Sequence, residues 1–166
     1  MDSYLLDTSA LSPLVDDEHP QHSAANSSIA ALGASPIYVS VIALAELRFG
    51  IYLHEMATGR RLRNADRLIS EAEQYPRWEI TNHTLAEYAK LKSILAIHYL
   101  PRVTRNFRKR WVEDWIDQFT NKALRVDDND LWICAQALEV NFTVIRGDKK
   151  MDVIQYAEQR LQLLLI

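Results

Sequence analysis

Short apolar runs alternate along this chain with longer segments of helical character. Tyr4-Leu5-Leu6, Ile37-Tyr38-Val39 and Phe142-Thr143-Val144-Ile145 are too short for helices, and each predicts a buried strand. Residues 41–56 and 84–98 predict two of the helices between them. Strands that alternate with helices in this way are typical of an α/β fold with a mostly parallel sheet.

The remaining predicted elements continue the alternation along a chain of ordinary single-domain length. Further helices are expected over residues 9–15, 19–32, 60–74, 129–140 and 151–160, and further strands over residues 78–80 and 161–165. Proline and glycine residues separate several of these segments. The 166 residues are most simply one domain spanning residues 1–166.

The composition limits the classes of function. A formal net charge of −3 excludes a chain that is basic throughout, although a local basic patch can still attract a phosphate backbone. Cys134 is the only cysteine, so no internal disulfide can form, and this usage is typical of a cytoplasmic protein. No segment has the pattern of a signal peptide or the roughly 20 apolar residues of a membrane span. We therefore expect a cytoplasmic protein with no membrane partner.

Four acidic residues each lie beside an apolar run: Asp7, Glu46, Asp130 and Asp148. An ionised carboxylate is costly to bury without a partner, and too few bases lie nearby to pair with all four. In open α/β sheets, functional groups gather at the carboxyl ends of strands, where Asp7 and Asp148 are expected. One divalent cation would neutralise the acids together, so the pattern favours a metal-dependent enzyme.

Each acid also has a purely structural interpretation. Asp7 is suited to cap a helix, and Glu46 could pair with Arg48 or face solvent. Asp130 could belong to a solvated acidic turn, and Asp148 could be a turn residue before two lysines. The sequence leaves these alternatives open for each residue taken singly.

Three parts of the chain resemble the PIN-domain ribonucleases, and most closely the VapC toxins of bacterial toxin–antitoxin pairs. The similar segments are residues 5–11, residues 40–50, and residues 129–138 followed by 143–148. Each segment contains at least one of the four acids beside its apolar run, in the order that the family has. Any one motif would be weak, but four acids in this order form a specific pattern.

The resemblance implies a three-layer α/β/α PIN-like fold with a four- or five-stranded, mostly parallel sheet. It further implies a metal-dependent endoribonuclease, an RNA substrate, a cognate VapB-type antitoxin and a homodimer. Arg146 stands where the family usually has Thr or Ser, and Cys134 replaces a usual Ala. Residues 101–122 are longer than the family's usual connection, and we expect a helical insertion there.

The implied cofactor is Mg²⁺, with Mn²⁺ as a possible substitute, because hard cations prefer oxygen ligands. Asp7, Glu46 and Asp130 are expected to be core ligands, with Asp148 acting through water or a second ion. A bound water of lowered pKa can attack a phosphodiester.

Four further residues are expected to support the acids or to contact phosphate: Thr8, Ser9, Asn129 and Arg146. Thr8 or Ser9 could donate to a scissile phosphate or orient Asp7. Asn129 could do the same or cap its helix. Arg146, as a cation near the site, could lower the affinity for an ion or clamp a phosphate.

Five bases occur within nine residues: Arg102, Arg105, Arg108, Lys109 and Arg110. Together with nearby aromatic residues they could bind an RNA backbone and stack on bases. Alternatively, the bases form an exposed helix face while Trp111, Trp115 and Phe119 pack inward at helical spacing. A third interpretation is a contact for an acidic antitoxin tail.

Two other functions compete with the endoribonuclease toxin. Phosphoryl transfer through an aspartyl nucleophile would use Asp7, but the second aspartate expected two residues later is replaced by Ser9. The non-enzymatic alternative is an RNA- or protein-binding PIN-like module with weak or no nuclease activity. Four costly carboxylates argue against that alternative, and Arg146 keeps it open.

Overall fold

The computed structural model describes residues 2–101 and 111–166, and within them the chain forms a five-stranded parallel sheet. The strands are β1 (Tyr4–Leu6), β2 (Ile37–Ser40), β3 (Arg77–Trp78), β4 (Thr143–Arg146) and β5 (Gln162–Leu165). Their order in the sheet is β3-β2-β1-β4-β5, and every neighbouring pair is parallel. The predicted parallel sheet is confirmed, and the first strand in sequence lies at its centre.

Seven α-helices flank this sheet in the described ranges. They are α1 (Thr8–Val15), α2 (His22–Ala30), α3 (Val41–Thr58), α4 (Ala65–Ala72), α5 (Asn82–Tyr99), α6 (Asp128–Val140) and α7 (Asp152–Ala157). The predicted α/β/α architecture is therefore confirmed. Within residues 2–101 and 111–166, no helix combines the length and the apolar character needed to cross a membrane.

Some predicted helix limits were wrong. A helix was expected over residues 60–74, but α4 begins at Ala65. The preceding helix ends at Thr58 and is capped by Gly59, whose left-handed backbone (φ 65°) turns the chain. Residues 60–64 are then needed to carry the chain to the start of α4, which packs against α1 and α3. The predicted helix over residues 151–160 is also shorter, at Asp152–Ala157.

Local capping explains where the helices at the carboxyl edge of the sheet begin. Asp7 directly follows β1 and accepts a hydrogen bond from Ala10 N at 2.8 Å. Ser40 ends β2 and accepts from Ile42 N at 3.1 Å, which confirms its predicted role as a cap. Because capped helices start directly after β1 and β2, the first turns of α1 and α3 lie side by side at this edge.

The core is built on the two central strands. Leu5 and Leu6 of β1 are paired in register with Val144 and Ile145 of β4, and all four are fully buried. A parallel sheet covered by helices on both faces requires such continuously apolar strands. Cys134 is also fully buried, and burial raises the pKa of its thiol, so it acts as a small apolar residue.

The expected helical insertion near residues 101–122 is only partly within the described chain. The basic residues 102–110 lie outside the described residues. From residue 111 onward, the segment contains the 3-10 helix Val112–Asp114 and an isolated bridge between Ile116 and Ala123. Trp115 is buried, but Trp111 and Phe119 are 63% and 74% exposed. The interpretation that all three aromatic residues pack inward on one helix is therefore wrong, because no helix aligns them.

Candidate active site

One pocket at the carboxyl edge of the sheet collects all four predicted acids. We call it the acid pocket; it has a volume of about 200 Å³ and is lined by Asp7, Thr8, Ser9, Ser12, Glu46, Asp127, Asp130, Ile133, Asp148 and Lys150. Asp7 follows β1, and Asp148 follows β4. Glu46 lies in the second turn of α3, and Asp130 lies in the first turn of α6. Four separate segments thus contribute one predicted acid each.

Asp7 is the most deeply buried of these acids, with 4% of the residue exposed. Its carboxylate accepts hydrogen bonds from Ala10 N at 2.8 Å and from the Ser9 hydroxyl at 2.9 Å. Its pKa is raised from 3.8 to about 6, chiefly by burial and to a smaller extent by the nearby charges of Asp148 and Glu46, while the hydrogen bonds from Ala10 and Ser9 lower it. In the described part of the chain, no Lys or Arg forms an ion pair with Asp7. Asp7 is therefore a helix cap that also lines the acid pocket.

Glu46 does not pair with Arg48, so that interpretation was wrong. Arg48 instead forms an ion pair with Glu73 at 2.5 Å, because α4 packs beside α3. The Glu46 carboxylate accepts from the Thr8 hydroxyl and from Asn129 Nδ2 at 2.8 Å. Glu46 therefore joins the starts of α1 and α6 across the pocket.

Asp130 belongs to a capping box with Asp127. Asp130 N donates to an Asp127 carboxylate oxygen at 2.9 Å, and Asp127 N donates to Asp130 Oδ2 at 3.0 Å. The pKa of Asp130 is raised from 3.8 to about 7, chiefly by burial. The charges of Asp127 and Asp7 also raise it, while the Asp127 N–H and Lys150 lower it. Asp130 is partly buried and is not in a solvated turn.

Arg146 ends β4 and Asp148 lies in the connection that follows, and the two side chains have different partners. Asp148 Oδ1 accepts from Lys150 N at 2.9 Å, and its carboxylate lines the acid pocket. Arg146 does not line the pocket. Its guanidinium donates to the Asp148 carbonyl at 2.9 Å and forms an ion pair with Asp152 at 2.5 Å. The Arg146 guanidinium is therefore paired with protein acceptors.

Gly147 allows the chain after β4 to lie directly against the start of α1. Gly147 N donates to the Ser9 hydroxyl at 2.8 Å. A Cβ at Gly147 would lie 2.4 Å from the Ser9 carbonyl oxygen, which no side chain permits. The contact links this connection, through Ser9, to the carboxylate of Asp7.

Sequence reasoning missed four residues of the acid pocket: Ser12, Asp127, Ile133 and Lys150. Two of them carried a recognisable signal. Ser12 lies four residues after Thr8 and therefore on the same face of α1. Asp127 lies three residues before Asp130, which is the spacing of a capping box. Ile133 and Lys150 carried no such signal.

The donors in this pocket fit a hard divalent cation in chemistry. Five carboxylates line it with a single lysine, and burial raises the pKa of Asp7 and of Asp130. In residues 2–101 and 111–166, no three Asp, Glu, His or Cys side chains are placed to hold one ion together. Mg²⁺ commonly takes only one or two carboxylates and keeps several waters, so the donor set fits a hydrated ion.

A family profile for the PIN domain matches residues 4–155, and the chain belongs to the PIN-domain family. Members of this family are generally nucleases and commonly bind Mg²⁺.

Solved structures support the fold. VapBC2 from Rickettsia felis bound to a promoter DNA fragment matches with a TM-score of 0.60 at 18% identity, covering 98% of each chain. VapBC-1 from nontypeable Haemophilus influenzae matches with a TM-score of 0.60 at 20% identity, covering 98% of this chain and 97% of that one. FitAcB from Neisseria gonorrhoeae gives 0.54 at 18% identity, covering 97% and 96%. A comparison with curated proteins gave no match.

Proposed function

We propose that this protein is a metal-dependent endoribonuclease that hydrolyses RNA phosphodiester bonds and acts as the toxin of a toxin–antitoxin pair. The observation that carries the proposal is the acid pocket, where carboxylates from four separate segments meet with one lysine. Family membership supports the reaction class, because PIN domains are generally nucleases. Likeness to VapBC structures supports the assignment as a toxin.

In this proposal Asp7, Glu46 and Asp130 hold Mg²⁺ or Mn²⁺, and Asp148 binds it through water or holds a second ion. The bound ion would supply a water of lowered pKa and would stabilise negative charge on the phosphate. The protein supplies the carboxylate oxygens that line the acid pocket. Its raised carboxyl pKa values reflect buried negative charge that a cation would neutralise.

The supporting residues act on the carboxylates in this proposal. Thr8 and Asn129 both donate to Glu46 and fix its orientation. Ser9 donates to Asp7 and accepts from Gly147, so its single donor hydrogen is already used within the protein. Their hydrogen bonds favour ligand orientation over direct contact with a phosphate.

The proposed partners are an RNA substrate, a VapB-type antitoxin and a second copy of the chain. The antitoxin and the homodimer come from the resemblance to VapC toxins, and the VapBC relatives support an antitoxin partner. We propose that the basic residues between 102 and 110 bind the RNA backbone, because the net charge of −3 gives no general attraction to phosphate.

Glu46→Gln tests the nuclease proposal, because it removes a charge at nearly constant volume. We expect RNA cleavage in Mg²⁺ or Mn²⁺ to fall by at least about a hundredfold, as for loss of a group that stabilises transition-state charge. The assay follows a labelled single-stranded RNA on a denaturing gel, with EDTA as the metal-free reference. Glu55→Gln, on the same helix but outside the acid pocket, is the matched control and should cleave normally.

A fully active Glu46→Gln protein would remove Glu46 from the ligand set. Cleavage by the wild type that is equally fast in EDTA would contradict a metal-dependent reaction.

One observation favours the alternative of an RNA- or protein-binding PIN-like module with weak or no nuclease activity. In the described residues, no three acids of the pocket are placed to hold one ion together, and Glu46 and Asp130 accept hydrogen bonds from protein donors. This cleavage assay and a separate measurement of RNA affinity by fluorescence anisotropy together separate the two functions. Binding of RNA without cleavage under any divalent cation would favour the module.

A further inference from the structure

Arg146 is the last residue of β4, and only 7% of it is exposed. Its guanidinium has two acceptors in the segment that follows. Nη1 donates to the Asp148 carbonyl at 2.9 Å, and Nη2 lies 2.5 Å from a carboxylate oxygen of Asp152, the first residue of α7. One side chain therefore spans the connection of residues 147–151 between β4 and α7.

This bond constrains Asp148, because carbonyl and carboxylate belong to the same residue. The carbonyl is bonded to Arg146, while the carboxylate lines the acid pocket and accepts from Lys150 N at 2.9 Å. At the start of the connection, Gly147 N is bonded to Ser9 at 2.8 Å. The connection is thus held at both ends, with the Asp148 carboxylate at the pocket.

The two members of the ion pair between Arg146 and Asp152 differ in burial. The Arg146 side chain is 9% exposed and that of Asp152 is 48% exposed. Burying a guanidinium is costly unless its N–H groups are hydrogen-bonded. Loss of the two acceptors would therefore destabilise the buried Arg146 more than loss of Arg146 would destabilise the half-exposed Asp152. In the part of the chain that the structure describes, Nε of Arg146 has no hydrogen-bond partner. The two Nη contacts must therefore offset the free-energy cost of burying the guanidinium.

We propose that Arg146 is a positioning residue that holds the Asp148 carboxylate at the acid pocket through the connection between β4 and α7. It does not contact the substrate phosphate. This inference rests on the proposed function, because it assigns a role in building the same ion site. A lysine is not an equivalent replacement, because its donors all belong to one nitrogen, whereas Arg146 reaches its two acceptors with two separate nitrogens, Nη1 and Nη2.

Two other roles for this cation predict different results. A cation that only repelled the ion would weaken ion binding, so its removal would raise the affinity for the ion. A phosphate clamp would contribute to RNA binding, so its removal would weaken RNA affinity and leave ion affinity unchanged. If Arg146 is a positioning residue, its removal should weaken ion binding and leave the RNA affinity measured without metal unchanged.

The experiment compares Arg146→Met, Arg146→Lys and Asp152→Asn with the control Arg160→Met. Arg160 forms ion pairs with Glu158 and Glu87 and does not line the acid pocket. Three quantities are measured on the full chain. They are Mn²⁺ affinity from the Mn²⁺-dependent rise in Tm, affinity for single-stranded RNA in EDTA, and hydrogen exchange of the backbone amides over residues 147–152.

We expect Mn²⁺ affinity to fall by about tenfold or more in both Arg146 variants, the size typical of losing a group that orients a metal ligand. Asp152→Asn should shift the affinity in the same direction. The amides of Gly147 and Lys150 should exchange faster, while RNA affinity in EDTA stays constant and Arg160→Met matches the wild type. If Arg146→Met does not fold, Arg146→Lys, which keeps the charge, and Asp152→Asn make the same comparison.

Unchanged Mn²⁺ affinity in the Arg146 variants, or an increase, would overturn the inference, and so would unchanged exchange over residues 147–152. A wild-type protein that does not bind Mn²⁺ would instead contradict the proposed function. In that case hydrogen exchange alone decides whether Arg146 holds the connection.

Discussion

Asp7 combines two properties that oppose each other. Its carboxylate caps α1 through Ala10, but burial and neighbouring acids raise its pKa from 3.8 to about 6. Since one pKa unit corresponds to about 1.4 kcal/mol, ionised Asp7 costs the metal-free fold about 3 kcal/mol. Such a cost is typical of titratable residues in functional sites, and the cation of the proposed function would relieve it.

The pH dependence of the metal-free protein follows from Asp7 and Asp130, whose folded pKa values are about 6 and about 7 against 3.8. Between about pH 4 and pH 7 the folded state binds more protons at these two sites than the unfolded state does. Their contribution to stability therefore falls as pH rises through this window, and it is most favourable at the acidic end. We expect Tm in EDTA to be higher near pH 5.5 than near pH 8, as measured by thermal denaturation.

Asp7→Asn isolates the contribution of one residue, because Asn also caps helices well. In EDTA near pH 8 the variant should melt at a higher temperature than the wild type, and the difference should shrink near pH 5.5. Mn²⁺ should no longer raise its Tm as strongly. Parallel pH profiles for the wild type and the variant would contradict the buried-charge interpretation of Asp7.

At the scale of elements, the site depends on how closely the connection after β4 approaches the start of α1. Gly147 lies against the Ser9 backbone, and Gly147 N is bonded to the Ser9 hydroxyl. The same hydroxyl donates to Asp7. A change in this contact should therefore alter the positions of Asp7 and Asp148, the two acids that follow central strands.

Gly147→Ala should separate the connection from α1, because the added Cβ would lie 2.4 Å from the Ser9 carbonyl oxygen. We expect a loss of about 1–3 kcal/mol in the free energy of unfolding, the usual cost of overpacking, together with weaker Mn²⁺ binding. Urea denaturation and the Mn²⁺ titration measure the two effects. Gly50→Ala is the matched control: it lies within α3 with nothing within 4 Å of the added Cβ, so it should not destabilise the protein.

At the scale of the whole molecule, the negative net charge disfavours binding of the proposed RNA substrate. The net charge is −3, and the acid pocket is lined by five carboxylates and one lysine. Electrostatic attraction to RNA must therefore come from a local group of bases. The densest group in the sequence is the five bases within residues 102–110.

Replacing Arg105, Arg108 and Arg110 together by Ser tests this basic group. The slope of log affinity for single-stranded RNA against log salt concentration should become shallower by about 2, since each phosphate contact contributes about 0.7. Fluorescence anisotropy over a salt series measures it. Replacement of Arg60, Arg61 and Arg63 by Ser removes the same charge elsewhere and should change the slope less. Equal slopes in both triple variants and the wild type would favour the other interpretations of the basic group.

Several features were predictable because their causes are local. The strands β1, β2 and β4 follow from short apolar runs, and the caps Asp7 and Ser40 follow from residue type at the end of a strand. The order of the four acids, each beside its apolar run, is a property of the chain alone and was enough to indicate the family. Helix limits were less predictable: α4 starts at Ala65 and not at residue 60, because the turn at Gly59 needs a connection before α4 can pack on α1.

The partners of the site residues depended on the folded chain. Glu46 bonds to Thr8 and Asn129, and Arg146 pairs with Asp152. The buried Gln136 accepts from Ser40 at 2.6 Å and donates to the Trp78 carbonyl at 2.8 Å, and nothing in the apolar pattern of α6 indicated this role. Hydrophobic periodicity and capping act over a few residues and can be read along the chain. Which polar groups meet depends on how distant segments pack, and that is established only once the sheet and helices have assembled.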